Sequence, residues 1–175
     1  MIQVSGLVLV TDPDHPAAGW LGLGWEHLNG RLPMKTYEIP TKMKWKGKRR
    51  GVVEVEGKKP LEIAAPPEFK GPNGIWTPED LFVAALESCL MLTFISLCED
   101  EKLELISYSS TASGRLEKSP EGLSFGWVVI SPQIEARGPE EETLKLIHKA
   151  SDLCMVRRSV SCKVAIYPEV TRPVD

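Results

Sequence analysis

W-T-P-E-D-L-F-V-A-A-L-E-S-C-L-M-L-T-F-I-S-L-C-E-D, residues 76–100, is the longest apolar run in the chain, and its reading decides the fold. Thr77 is a good N-cap, Pro78 suits the first helical position, and Glu79 and Asp80 favour the positive end of a helix dipole. From Leu81 to Cys98 the one charged residue is Glu87. That stretch reaches the lower limit for a membrane span. Glu87, Ser88, Thr93 and Ser96 interrupt it and both flanks are acidic, which argues against a span. An apolar helix in a soluble protein is one that the fold surrounds. Cys89 sits near the middle of this helix and Glu79 near its start.

On the C-terminal side, 104–117 and 123–135 alternate as two long strands joined by the turn K-S-P-E-G. A second helix begins near Pro139, with Glu140, Glu141 and Glu142 in its first turn. Leu144, Ile147, Ser151 and Cys154 recur at helical spacing, which puts Cys154 on or near the core stripe at that helix's end. Val160, Cys162, Val164 and Ile166 alternate as a closing strand, and Pro168 ends it.

On the N-terminal side, 61–63 reads as a short strand before a Pro- and Gly-rich loop. Residues 42–57 read as a hairpin, Val53 and Val55 alternating with Glu54 and Glu56. A basic cluster from Lys42 to Arg50 surrounds Trp45. It reads as a solvated strand face and turn, or as a nucleic-acid patch. Net charge is −3 and no base-reading motif is present, so no nucleic-acid partner is expected. Residues 1–40 read as an extension of unassigned role, with a candidate strand at 2–10 and an apolar segment at Trp20–Trp25; the domain proper spans 41–175. The order of elements predicts an α+β fold, a curved antiparallel sheet wrapped around a long buried central helix.

The chain has 175 residues, 42% hydrophobic and 26% charged, enough for one soluble domain with its own core. Residues 1–10 lack the basic start of a signal peptide, so the expected location is the reducing cytoplasm. There a cysteine pair is more often catalytic, redox-active or metal-binding than structural.

Four readings compete for Cys89 and Cys154: packing, a metal site, a Cys–His hydrolase and a redox pair. No C-x-x-C or H-x-x-x-H spacing exists, and His15, His27 and His148 are scattered, so no metal is expected. His148 lies six positions before Cys154 on the same helix, where the two side chains point apart. A reactive cysteine needs a cation or a helix N-terminus nearby, and neither is local to Cys89 in sequence. A redox pair also requires the two Cα atoms to come within about 7 Å.

The run T-P-E-D-L-F-V-A-A-L-E-S-C resembles the signature of the OsmC/Ohr family of osmotically induced and organic-hydroperoxide-resistance proteins, (T/S)-(N/P)-P-E-(E/Q)-L-(F/I)-x-A-A-x-x-(A/S)-C. Pro78, Glu79, Leu81, Phe82, Ala84, Ala85, Ser88 and Cys89 match it. A second cysteine in a helix before the last strand and a hairpin with a glycine-flanked arginine are similar too. The likeness covers about residues 41–170. It implies a thiol-dependent peroxidase active on organic hydroperoxides, with hydrogen peroxide a further candidate; the apolar surroundings of Cys89 favour a hydrophobic peroxide over a small one. In that scheme Cys89 is the peroxidatic nucleophile, Cys154 the resolving cysteine that closes a Cys89–Cys154 disulfide, Arg49 or Arg50 the thiolate's cation, and Glu79 the residue that orients it. It also implies an intertwined homodimer, no bound cofactor and an external thiol or dithiol reductant. An alternative is a non-catalytic small-ligand-binding dimer of the same fold.

Ten residues of helix, roughly 15 Å, separate Glu79 from Cys89, so both can serve one site only through the arginine or a second chain. After Cys154 this chain reads M-V-R-R-S, where the family commonly has C-P-x-S or C-x-x-S-N. Arg157 and Arg158 read as cations that lower the Cys154 pKa, as an anion site, or as a solvated helix end. Cys98 and Cys162 match no family position and read as packing residues.

Overall fold

The computed structural model describes residues 37–173. The readings for residues 1–36, including the strand at 2–10 and the Trp20–Trp25 segment, lie outside the described residues.

Strands β1 (Lys42–Trp45), β2 (Arg50–Glu54) and β3 (Leu61–Ala64) form an antiparallel three-stranded sheet in the order β1-β2-β3. Its register aligns Met43 with Val53 and Val53 with Leu61, and Trp45 with Gly51 and Gly51 with Ile63. Residues directly opposite in a ladder share a face. One face of this sheet is therefore apolar. The other carries Lys44 paired with Glu54 at 2.8 Å and Arg50 paired with Glu62.

A short 3-10 turn (Pro67–Phe69) leads through the Pro/Gly loop to α1 (Pro78–Glu101). Its start is a reciprocal cap. The Thr77 hydroxyl accepts from the Asp80 N–H at 3.1 Å, while an Asp80 carboxylate oxygen accepts from the Thr77 N–H at 2.9 Å. Its end is a Schellman motif: the Leu103 N–H donates to the Cys98 carbonyl, the Lys102 N–H to the Glu99 carbonyl, and Lys102 takes φ 58°.

The body is built on this helix. Strands β4 (Glu104–Ser119) and β5 (Gly122–Arg137) form a long antiparallel hairpin. At its turn Gly122 adopts φ +131°, a conformation that side chains disfavour. Helices α2 (Glu140–Leu153) and α3 (Met155–Arg158) follow, then β6 (Lys163–Ile166) and β7 (Glu169–Thr171). Both final strands pair with β5 in parallel, so the sheet is antiparallel at its hairpin and parallel along its far edge. The α+β class stands as expected, with β7 the one strand not foreseen.

Alternation along β5 sends Val128, Ile130, Pro132, Ile134 and Ala136 inward. They meet Leu86, Leu90, Phe94, Leu97 and Cys98 of α1 and Leu146, Ile147 and Ala150 of α2 in one core. Phe82 stacks on Phe125 with ring centres 4.4 Å apart. A bulge between Leu105 and Ser107 turns Ile106 outward and brings Tyr108 in against Phe94.

By length and composition α1 is apolar enough to cross a membrane. Its role here is that of a core helix, with five side chains buried against the sheet and α2. The expectation of burial all round is met on one face only. Ala85, Ser88, Leu92 and Ser96 form an open stripe, and Leu92 is 61% exposed.

Candidate functional site

Cys89 lies on α1 between the buried side chains Leu86 and Leu90 and the open stripe of Ser88 and Leu92, and is half-buried. Cys154 is at the junction of α2 and α3 and is 1% exposed. The two thiols are near enough that each acts on the other's ionisation. The structure thus brings together two cysteines 65 positions apart in sequence.

The junction explains the approach. Cys154 takes φ −58° and ψ 114°, outside the helical region, and the chain kinks there before starting a new turn. The first N–H groups of a helical turn have no partner within it. Those of Met155 and Val156 favour the ionised form of Cys89, and the Arg157 N–H donates to the Cys154 sulfur at 3.4 Å. The Arg157 side chain closes the kink by donating to the Ser151 carbonyl at 3.1 Å and to Asp152 at 3.0 Å. A cation near the end of α2 thereby satisfies one of its last carbonyls.

These contacts set the two thiols apart. Burial pushes the Cys89 pKa up, but the Val156 N–H, the Cys154 thiol, the Thr93 hydroxyl and the Met155 N–H outweigh it and hold the thiol below its ordinary value. Cys154 moves the other way. Burial raises it first, the Arg157 N–H opposes, and the hydrogen bond to Cys89 together with that neighbour's charge raises it further. Of the two thiols, Cys89 is thus the one that ionises more readily and Cys154 the one that keeps its proton. The sequence placed no helix start or cation beside Cys89. The structure corrects this: the α3 backbone is beside it. What lowers Cys89 is backbone and hydroxyl donors, which no side-chain motif announces. The one available signal was the unusual run after Cys154.

The other expected residues lie elsewhere. Glu79 faces a groove between the start of α1, the loop after β3 and β4, lined by Phe69, Trp76, Asp80 and Leu116. Its Oε2 is buried with no hydrogen-bond partner. Arg49 donates to the Phe69 carbonyl at 2.6 Å, at the edge of that groove. Arg50 is held by Glu62 on the charged face of the sheet. Within the described chain neither arginine reaches Cys89, and Glu79 and Cys89 stay apart along α1. Lys44 and Arg50 of the basic cluster are engaged by acids, in keeping with a solvated strand face. The Arg157 guanidinium is spent on Ser151 and Asp152; its backbone N–H, not its charge, is what opposes the rise of Cys154, whose pKa is raised on balance.

Comparison with known proteins agrees with this architecture. The family model described as OsmC-like protein matches residues 71–169. An OsmC-like protein of unknown function from Vibrio cholerae is 27% identical. That likeness covers 77% of this chain and 100% of that structure, with a TM-score of 0.71. An organic hydroperoxide resistance protein OsmC from Legionella pneumophila is also 27% identical, over 78% of this chain and 98% of that structure, with a TM-score of 0.64. Among curated proteins, the uncharacterized protein YmaD of Bacillus subtilis is 22% identical over 144 residues, 79% of this chain and 96% of that protein.

Proposed function

The chain belongs to the OsmC-like protein family, and on that premise we propose that it is a thiol-dependent peroxidase that reduces organic hydroperoxides. The observation that carries this reading is the thiol pair: Cys89, lowered by the α3 N–H groups, beside Cys154, which holds its proton.

The Cys89 thiolate attacks the terminal oxygen of the hydroperoxide. The O–O bond breaks, the terminal OH stays on sulfur as a sulfenic acid, and the leaving alkoxide takes a proton from water to depart as the alcohol. Oxidation removes the Cys89 charge, one of the influences that kept Cys154 protonated. The Cys154 sulfur then attacks the sulfenic sulfur, an S–S bond forms, and water leaves. An external dithiol reduces the disulfide and is itself oxidised to a disulfide. Apolar neighbours such as Leu92 favour a hydrophobic peroxide. Four free cysteines suit a reducing cytoplasm.

The same reading includes a homodimer. Among the described residues the apolar face of the three-stranded sheet contributes nothing to the buried core, and the α1 stripe is open. The groove holding Glu79 is acidic, with Glu68 and Asp80, whereas the β1–β2 hairpin is basic. A second copy that brings its hairpin to this groove covers both apolar faces and supplies a guanidinium to the unpaired Glu79 oxygen. Arg49, held by a neutral carbonyl, is the better placed of the two arginines, because Arg50 already has Glu62.

The test is direct. One equivalent of an organic hydroperoxide is added to reduced protein and free thiols are titrated. Two thiols are lost per chain, and Cys89→Ser abolishes the loss. No loss over minutes in the wild type overturns the assignment.

A further inference from the structure

The chain is acidic overall, with net charge −3, but the charged residues around one hollow are all cations. It lies where the end of α3 meets the start of β6, has a volume of about 340 Å³, and is walled by Arg157, Arg158, Cys162, Lys163 and Val164. The backbone sets this convergence. Arg158 is the last residue of α3, and its N–H donates to the Cys154 carbonyl at 3.0 Å. Lys163 opens β6, level with Trp127 of β5. The last carbonyls of α3 do not contest the site with their own negative charge. The Ser159 N–H takes those of Val156 and Arg157, and the Ser159 hydroxyl that of Met155 at 2.9 Å.

The three cations are not equivalent. Arg157 is answered by Asp152 at 3.0 Å and by the Ser151 carbonyl. Among the described residues, Arg158 and Lys163 have no ion pair and no side-chain hydrogen bond. By contrast Arg50, Arg115 and Arg137 each meet a carboxylate. Like charges around one concavity repel, and an anion that enters relieves the repulsion. A guanidinium offers a planar fork to two oxygens of one oxyanion, and an ammonium adds a point charge beside it.

We propose that this hollow is a binding site for the oxyanion group of a small molecule, a phosphate or a carboxylate, held between Arg158 and Lys163. It shares no lining residue with the Glu79 groove, which carries acids instead. The inference does not depend on the peroxidase reading. Cys162, half-buried in the same wall, has no part in the Cys89–Cys154 cycle. An occupant covers it, and a reagent that approaches it passes the two cations, so its thiol reports on the site.

The experiment follows Cys162 by mass spectrometry in the whole chain. The first arm, at low ionic strength, compares two disulfide reagents, anionic dithiobis-nitrobenzoate and cationic cystamine. Each rate is divided by that of a short cysteine peptide. The Cys162 sulfur attacks one reagent sulfur, a mixed disulfide forms, and the other half leaves as a thiolate. The anionic reagent is favoured over the cationic one by about tenfold or more, and Arg158→Gln and Lys163→Gln each cut that ratio at least about threefold, the scale of a unit charge at a solvated surface. Both side chains are exposed, and a cooperative melt shows that each variant folds. A ratio equal to the peptide's overturns the inference. The second arm needs the wild type alone. Cys162 is alkylated by neutral iodoacetamide at fixed ionic strength in phosphate, acetate or chloride. Phosphate removes most of the rate at saturation. Protection by phosphate alone assigns a phosphate group, and protection by acetate assigns a carboxylate. Protection by neither beyond that of chloride overturns the site.

Discussion

Trp45 in β1 is 77% exposed, whereas Phe94 in α1 is fully buried, although both are large aromatics. The three-stranded sheet and the helix-centred body obey the same alternation rule. Among the described residues they differ in whether a second layer lies opposite. In the body, the inward residues of β5 meet α1 and α2. In the sheet, Met43, Trp45, Val53, Leu61 and Ile63 share a face, and none of them belongs to the core. A small sheet with one apolar face needs a layer against it to be stable. The comparison teaches that a complete local pattern is not a complete fold, and that the unfinished half points outward, to a second copy in the reading proposed above.

The largest expected effect is on the finished half. Phe94→Ala empties the centre of the core and lowers the unfolding free energy by about 3–5 kcal/mol, measured by denaturant titration. A loss near that of a surface site would mean the body is not the stabilising unit.

Next is a pH effect confined to the body. Burial first, and the neighbouring Glu99 second, push the Cys98 thiol up to about 11, from an ordinary 9.0. The folded state therefore holds this proton more tightly than the unfolded state. Its contribution is fully present below pH 9 and is lost as the pH rises through 11, about 3 kcal/mol in all. Stability curves of Cys98→Ala against the wild type isolate that slope. Cys89 on the same helix has the opposite sign. Its folded pKa is lowered, so its contribution is present above the unfolded value and is lost as the pH falls through the folded one. The sheet's Lys44–Glu54 and Arg50–Glu62 pairs are solvated and yield no comparable slope.

Smaller again is the cap. Thr77→Ala removes the hydroxyl that accepts the Asp80 N–H, at a cost of about 1 kcal/mol in thermal or denaturant unfolding. This cap was legible in the sequence, as were the run of α1, the β4–β5 hairpin and the start of α2, because each depends on neighbours along the chain. What was not legible depends on contacts across the fold. Helical spacing brought Cys154 to the end of α2 but did not show the kink that frees the Met155 and Val156 N–H groups. The sequence left the role of Arg157 open between a pKa effect, an anion site and a helix end. Geometry shows it closing that kink on Ser151 and Asp152. Apolarity alone also predicted α1 buried on all sides, since composition does not say whether the covering layer belongs to the same chain.

Trp45→Ser has the smallest effect on a dilute chain and is the sharpest test of the comparison. Its ring stands in solvent, and its Nε1–H donates to the Lys48 carbonyl at 2.9 Å within the β1–β2 turn. At low protein concentration the substitution removes an exposed contact and costs about 0.5 kcal/mol. At high concentration a second copy covers the sheet, the ring becomes buried area, and the wild-type melting temperature rises by mass action. The variant's melting temperature rises less, so the gap between the two curves widens with concentration. Melting curves at two well-separated concentrations, with sedimentation to report mass, read this out. A wild-type chain that stays monomeric, with a melting temperature independent of concentration, breaks the argument: the apolar face would then be open by nature, and the unpaired Glu79 oxygen would need another explanation.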